Sequence, residues 1–136
     1  MIQIVKDSDT RPWFFLQTAH TTYGMWVMET GHLEHLYYGE RITVDSQDPS
    51  SCAPLVIQRA FAPGNTCTYD REHPQISMED VCLEVGTLGK GDIREPFLEV
   101  RFTDGSVTSD FTFDSYEVIT LKEREQYLQD SGLPHS

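Results

Sequence analysis

Leu98-Glu99-Val100-Arg101-Phe102 is the stretch whose reading decides the fold: apolar residues alternate with charged ones. A period of two puts Leu98, Val100 and Phe102 on one face of a strand and the charges on the other. Asp104-Gly105 follows, a hairpin signal, because glycine accepts the positive φ that a tight primed turn requires. Beyond it, Val107, Phe111 and Phe113 alternate with Thr108, Asp110, Thr112 and Asp114, and Tyr116 to Thr120 reads as a further strand. Strand, turn, strand, strand predicts an all-β fold.

The first third points the same way. Trp13-Phe14-Phe15-Leu16-Gln17-Thr18 is apolar and aromatic, as buried strands are. Thr22 to Glu29 repeats the pattern with Tyr23, Trp26 and Val27, Thr30-Gly31-His32 reads as a turn, and Leu33 to Tyr38 resumes before Gly39. A meander is expected. Residues 44 to 76 break the pattern, punctuated by Pro49, Pro54, Pro63 and Pro74, with only Leu55 to Arg59 resembling a short strand. A stretch this irregular in a compact domain is usually functional or disordered; its aromatics, Phe61 and Tyr69, favour an ordered excursion. Leu121 to Leu128 has the charge density of one short helix, with Glu123 and Tyr127 as i,i+4 neighbours. The turn-like Gly132-Leu133-Pro134 then suggests a link into more protein.

A chain of 136 residues supports one domain. Its aromatic content, 11 %, argues against disorder. The formal net charge of −12 disfavours nucleic acid and anionic membranes as partners, while neutral ligands such as sugars and other protein subunits remain compatible. No apolar run approaches the roughly 20 residues of a membrane span. The start, Met1 to Asp9, lacks a basic leader followed by an apolar stretch, so a soluble cytoplasmic protein is expected. Cys52, Cys67 and Cys82 are odd in number and form no CxxC pair, as in reduced thiols rather than a disulfide framework or zinc site.

Few residues suggest chemistry. His32 and His35 form an HxxH, which on a helix can hold a metal. Here the context is turn and strand, where i and i+3 face opposite sides, so no metal site is expected and His35 is assigned to packing or a backbone hydrogen bond. Gly89-Lys90-Gly91 lacks the spacing and the helix of a phosphate loop; its glycines suit a tight turn or bulge, and Asp92 and Arg94 a local ion-pair network. The carboxylate pairs Glu79-Asp80, Asp92 with Glu95, and Asp45 with Asp48 are surface features in so acidic a chain. Glycoside hydrolysis requires two carboxyls roughly 5 to 10 Å apart across a substrate. No serine or cysteine stands in a nucleophile-elbow context. Trp13, Trp26, Tyr37 and Tyr38 fit a sugar-stacking platform, although aromatics at strand spacing usually belong to the core. The adjacent Tyr37 and Tyr38 must face opposite sides.

Two segments are more specific. His35-Leu36-Tyr37-Tyr38-Gly39, after an aromatic strand and a glycine turn, resembles a signature of glycoside hydrolase family 36 α-galactosidases. Gly89-Lys90-Gly91-Asp92-Ile93-Arg94-Glu95-Pro96 is similar to the same family's G-x-GD-[FI]-R-x-P segment, with Gly91, Asp92, Arg94 and Pro96 at the matching positions. The order of these pieces, through Asp104-Gly105-Ser106 to Gly132-Leu133-Pro134, spans about residues 12 to 134. The resemblance implies the amino-terminal β-supersandwich domain, galactose-mutarotase-like, of an enzyme that removes terminal α-galactose from melibiose- or raffinose-type sugars with retention. Its catalytic aspartates would lie on a (β/α)₈ barrel beyond this chain. The family's Lys-Trp-Asp nucleophile run is absent here, neither Trp13 nor Trp26 being followed by Asp. Residues 1–136 would then be the first part of the domain, non-catalytic and without a cofactor. Its partners would be the barrel of its own enzyme and other subunits of a homo-oligomer, a tetramer in the family. A loop from one amino-terminal domain would approach the neighbour's galactoside pocket. The Pro-rich excursion is the candidate loop, with Asp45, Asp48, Arg59 and Asp70 as candidate sugar contacts. A free-standing carbohydrate-binding module is the alternative, and a small enzyme using a pair such as Asp92 and Glu95 a further one. A sandwich missing later strands would expose an apolar face or edge and self-associate.

Overall fold

The computed structural model describes residues 1–6, 11–56, 68–89 and 95–132, with the side chain of Glu79 excepted. Four strands, β1 (Ile2–Lys6), β2 (Pro12–Gln17), β3 (Thr21–Val27) and β4 (Leu33–Glu40), form one antiparallel sheet in the order β1-β2-β3-β4. The meander read from the sequence is present, and β1, which that reading did not include, adds an edge. The chain is all-β with one short helix, α1 (Leu121–Ser131), and 3₁₀ turns at Pro49–Leu55 and Met78–Asp80. Helix α1 starts where its sequence predicts. Thr120 accepts from the Glu123 amide while Glu123 accepts from the Thr120 amide, and Gly132 closes it in the left-handed region at φ 66°.

Directly opposed residues share a face, and the register places Val5, Trp13 and Trp26 in one row and Gln3, Phe15, Gly24 and Tyr37 in the next. This face carries the main core of Val5, Trp13, Phe15, Val44 and Cys52, with Trp26, Ile42, Leu55 and Val56 against it. The covering layer comes from residues 42 to 56. The front of the Pro-rich excursion is therefore core material, while Phe61 lies outside the described residues. Gly24 answers Phe15 across the strands: a Cβ there would stand 3.0 Å from the Phe15 ring. A second cluster, Met28, Ile76, Met78 and Val81, packs beside Trp26 and Tyr69 at the end of β3.

The opposite face presents Ile2, Phe14, Leu16, Met25 and Leu33 to a groove of about 320 Å³ whose far side is Phe113 and Ser115 to Val118. The sequence reading requires correction here. Leu98–Phe102, Val107–Phe113 and Tyr116–Thr120 were expected as strands and form none; Leu98 makes an isolated bridge to Thr87. The turn itself is present: Gly105 at φ 87° donates to the Phe102 carbonyl, and Phe102 donates to Ser106. Alternation records which side chains want burial, but a ladder needs a neighbouring strand to take the backbone groups. Among the described residues no strand lies beside these segments, whose outside backbone contacts are single bonds to Gly86, Leu88 and Gly31, and Phe102 stays 47 % exposed. Residues 109 to 118 instead run as a strap outside any strand that still delivers its apolar side chains. Phe113 and Tyr116 meet Phe14 at ring separations of 6.1 and 5.1 Å. Leu55–Arg59 is likewise not a strand as far as it is described: Leu55 ends a 3₁₀ turn, and 57–59 lie outside the described residues.

This distribution of burial predicts a sharp contrast between two phenylalanines. Replacing the fully buried Phe15 by alanine should cost about 3–5 kcal/mol in urea unfolding, whereas Phe97→Ala, at 79 % exposure, should stay within about 0.5 kcal/mol. Equal costs would contradict the assignment of Phe15 as the centre of the core.

Candidate functional site

The segment His35-Leu36-Tyr37-Tyr38-Gly39 lies on β4 and interrupts its register. Gly24 pairs with Tyr37 and Met25 with His35, so Leu36 is the extra residue of a β-bulge. Tyr37 and Tyr38 then emerge on opposite sides, as adjacent strand residues must. On the core side, the Tyr37 hydroxyl donates to the Glu40 carbonyl at 2.8 Å. Its ring arches over Gly39, where a Cβ would come within 2.8 Å of the hydroxyl oxygen. On the other side, Tyr38 is 70 % exposed and its ring stands 6.1 Å from that of Tyr23, its cross-strand partner. Tyr23 also packs against His35 at 5.1 Å and donates its hydroxyl to the Glu84 carboxylate at 2.6 Å. The His35 ring packs on Tyr23, one of the two alternatives expected of it, with Nδ1 3.6 Å from Glu84, and its backbone amide donates to the Cys82 carbonyl.

His32 belongs to a different assembly. It is 3 % exposed at the end of the β3–β4 turn, and its Nε2 lies 2.6 Å from Asp110 Oδ1. Its Nδ1 is 2.7 Å from the Thr30 hydroxyl. The Asp110 carboxylate accepts from Nε2, and Nδ1 shares a second hydrogen bond with the Thr30 hydroxyl. Asp110 uses its second oxygen to accept from the Tyr69 hydroxyl at 2.7 Å, and the Tyr69 ring meets His32 edge-on at 4.9 Å. The two histidines of the HxxH thus serve different carboxylates, and among the described residues no group of three potential ligands gathers around a metal-sized site. Sequence reading missed Asp110 and Tyr69 because the tie spans 78 and 41 residues, and no local spacing encodes such a contact.

The candidate sugar contacts are not brought together. Asp45 and Asp48 are exposed on one turn, where each carboxylate serves its own backbone: Asp45 accepts from the Gln47 amide and Asp48 from the Ser50 amide and hydroxyl. Asp70 accepts from the amides of Glu72 and His73 and pairs with the His73 ring at 2.8 Å, contacts that hold its carboxyl below the usual range. Arg59 lies outside the described residues, as do Gly91, Asp92 and Arg94. Pro96 is half-buried, and Gly89 at φ 112° shows why its segment begins with glycine: a Cβ there would collide with Thr108. The pair Asp92 with Glu95 is not described in full. Of the thiols, Cys52 is buried and Cys82 exposed, both free; Cys67 is outside the described residues. Of the proposed platform, Trp13 is core at 6 % exposure and Trp26 partly buried, so the four aromatics do not share one surface.

Comparison with known proteins follows these features. The model of the glycosyl hydrolase family 36 N-terminal domain matches residues 31–136, which include the bulged tyrosine segment and Asp110. The bifunctional alpha-galactosidase/sucrose kinase AgaSK of Mediterraneibacter gnavus is 38 % identical over 117 residues, covering 85 % of this chain and 12 % of that protein. The alpha-galactosidase AgaA of Geobacillus stearothermophilus is 26 % identical over 90 % of this chain and 16 % of its own length. The crystal structure of the alpha-galactosidase from Lactobacillus brevis superposes with a TM-score of 0.67 at 29 % identity, covering 83 % of this chain and 14 % of that one. The galactosidase domain of AgaSK does so with a TM-score of 0.64 at 30 % identity, covering 84 % and 15 %. The chain therefore spans about one seventh of the length of these relatives.

Two phenols allow a test of the site. Tyr23 and Tyr69 are each pushed up to about 12, by burial first and then by Glu84 and Asp110 respectively. The fold holds these protons more tightly than the unfolded chain, whose phenols ionise near 10.0. Their contribution to stability is complete below that pH and is lost as pH rises toward 12. The urea midpoint should fall across this window, and Tyr69→Phe should start lower but fall less steeply. A midpoint that is flat with pH would contradict the burial of these phenols against carboxylates.

The family match over most of the chain, carried by a bulged strand whose tyrosines and glycine have specific local roles, establishes that this chain belongs to glycoside hydrolase family 36 through its N-terminal domain.

Proposed function

We propose that this chain serves as the amino-terminal, non-catalytic β domain of an α-galactosidase that removes terminal α-galactose from sugars of the melibiose and raffinose type. The observation that carries the reading is the family match over residues 31–136 in relatives of which the chain covers only 12 to 16 %. The chemistry of such proteins requires far more polypeptide than this domain. The domain's work is assembly: it docks on the catalytic barrel of its own enzyme and contributes to a homo-oligomer, a tetramer. The Pro-rich excursion supports a second contribution. Its front anchors in the core through Val44 and Cys52, while Asp45 and Asp48 stand exposed on its turn, and these two are proposed to contact a neighbour's galactoside pocket. Arg59 and Asp70 complete this proposed contact set. A cytoplasmic location is proposed together with this reading; among the described residues no helix is long and apolar enough to cross a membrane.

One observation favours a second reading, a carbohydrate-binding module: Tyr38 presents an exposed ring beside Tyr23 on the face away from the core. The two readings share one expectation and differ from any enzymatic role. The purified 136-residue chain should release no p-nitrophenol from p-nitrophenyl α-galactoside above a matched blank. Release that persists through repurification and disappears in an Asp92→Asn variant would overturn the non-catalytic assignment.

A further inference from the structure

Where β3 ends, Arg11, Trp26, Glu29, Val56, Gln75 and Ile76 surround a cleft of about 230 Å³. Its wall is aromatic and rigid. Trp26 donates its indole N–H to Glu34 at 2.8 Å, and Glu34 is 2 % exposed; on the core side the indole meets Trp13 edge-on at 5.6 Å. The ring is thus held from two directions while part of it remains in the cleft. The Arg11 guanidinium lies 6.0 Å from the ring centre, the outer limit of a cation–π contact, too far to cover that centre. Besides the apolar Val56 and Ile76, the lining holds a preformed polar pair: Gln75 donates to one oxygen of Glu29 at 2.6 Å. The Gln75 carbonyl and the second Glu29 oxygen remain as acceptors, and Arg11 supplies donors.

We propose that this cleft binds a neutral, monosaccharide-sized polyol. An aromatic wall suits the C–H face of a sugar ring, and convergent carboxylate, amide and guanidinium groups suit its hydroxyls. The volume falls below the roughly 300 Å³ at which drug-sized pockets begin, so one ring is the unit accommodated. Charge sets the ligand class. Arg11 and Glu29 both line the cleft and the chain carries −12, which penalises an anion. A cation would find the guanidinium beside it. The proposal rests on the cleft alone and stands whether or not the α-galactosidase reading does, since binding and turnover are read separately.

The test is calorimetric titration of the purified chain with D-galactose, D-glucose and D-galacturonate. Saturable millimolar binding of at least one neutral sugar is expected, with galacturonate weaker. Gln75→Ala and Glu29→Gln each remove one polar partner at the surface, and each should weaken binding about fivefold or more. Circular dichroism confirms that both variants retain the fold. Trp26→Phe should also weaken binding, and Tyr38→Ala, on the far face, should leave it unchanged. No binding of either neutral sugar overturns the proposal. So does binding that resists the Gln75 and Glu29 variants, and loss on Tyr38→Ala alone would move the site to the tyrosine face.

Discussion

One carboxylate ties the two halves of this domain together. Asp110 accepts from His32, at the turn that joins β3 to β4, and from Tyr69, at the far end of the Pro-rich excursion. Each bond links segments that the sequence keeps far apart, and the groups involved are largely withdrawn from water, where a hydrogen bond to a charge is worth more than at the surface. The cost of leaving such a carboxylate without partners is correspondingly high. Around this tie the strap from 109 to 113 is set down on the turn: Phe113 donates to the Gly31 carbonyl at 2.7 Å, and Ser109 to Leu88 at 2.9 Å. Gly31 itself needs its positive φ of 86°, and Thr112 leaves no more than 3.3 Å to a Cβ there.

What the sequence made legible was the part of the fold that local pattern can encode. The aromatic runs at Trp13 and Tyr23 and the turn at Gly31 give β2, β3 and β4, although Gly39, read as the end of a strand, lies within β4, and the charge density from Leu121 marks α1. The alternation from Leu98 to Phe113 was read as strands. It does encode burial, since Phe113 and Tyr116 reach Phe14, but it cannot supply the neighbouring strand on which pairing depends. β1 was overlooked because Ile2 to Lys6 is short and flanked by charge, and it acquires strand structure only by pairing with β2.

The candidate site was legible in a different way. His35 to Gly39 stood out as a family-like segment, and the structure gives it physical content: a bulge at Leu36, a tyrosine arched over Gly39 and a second tyrosine turned outward. The acidic residues of the excursion were chosen for their chemistry, and those described occupy themselves with local backbone. Acidic residues next to turn formers are frequently caps, so composition alone could not separate capping from contact with a ligand. Asp110 and Tyr69, which matter more to the described architecture, are ordinary residues whose importance is wholly tertiary.

The most direct test of this account is native-state hydrogen exchange on the wild-type chain and on Asp110→Asn. The account predicts that the amides of Ser109 and Phe113 lose protection in the variant while those paired between β2 and β3 keep theirs. Unchanged protection at Ser109 and Phe113 would contradict the claim that Asp110 holds the strap to the sheet.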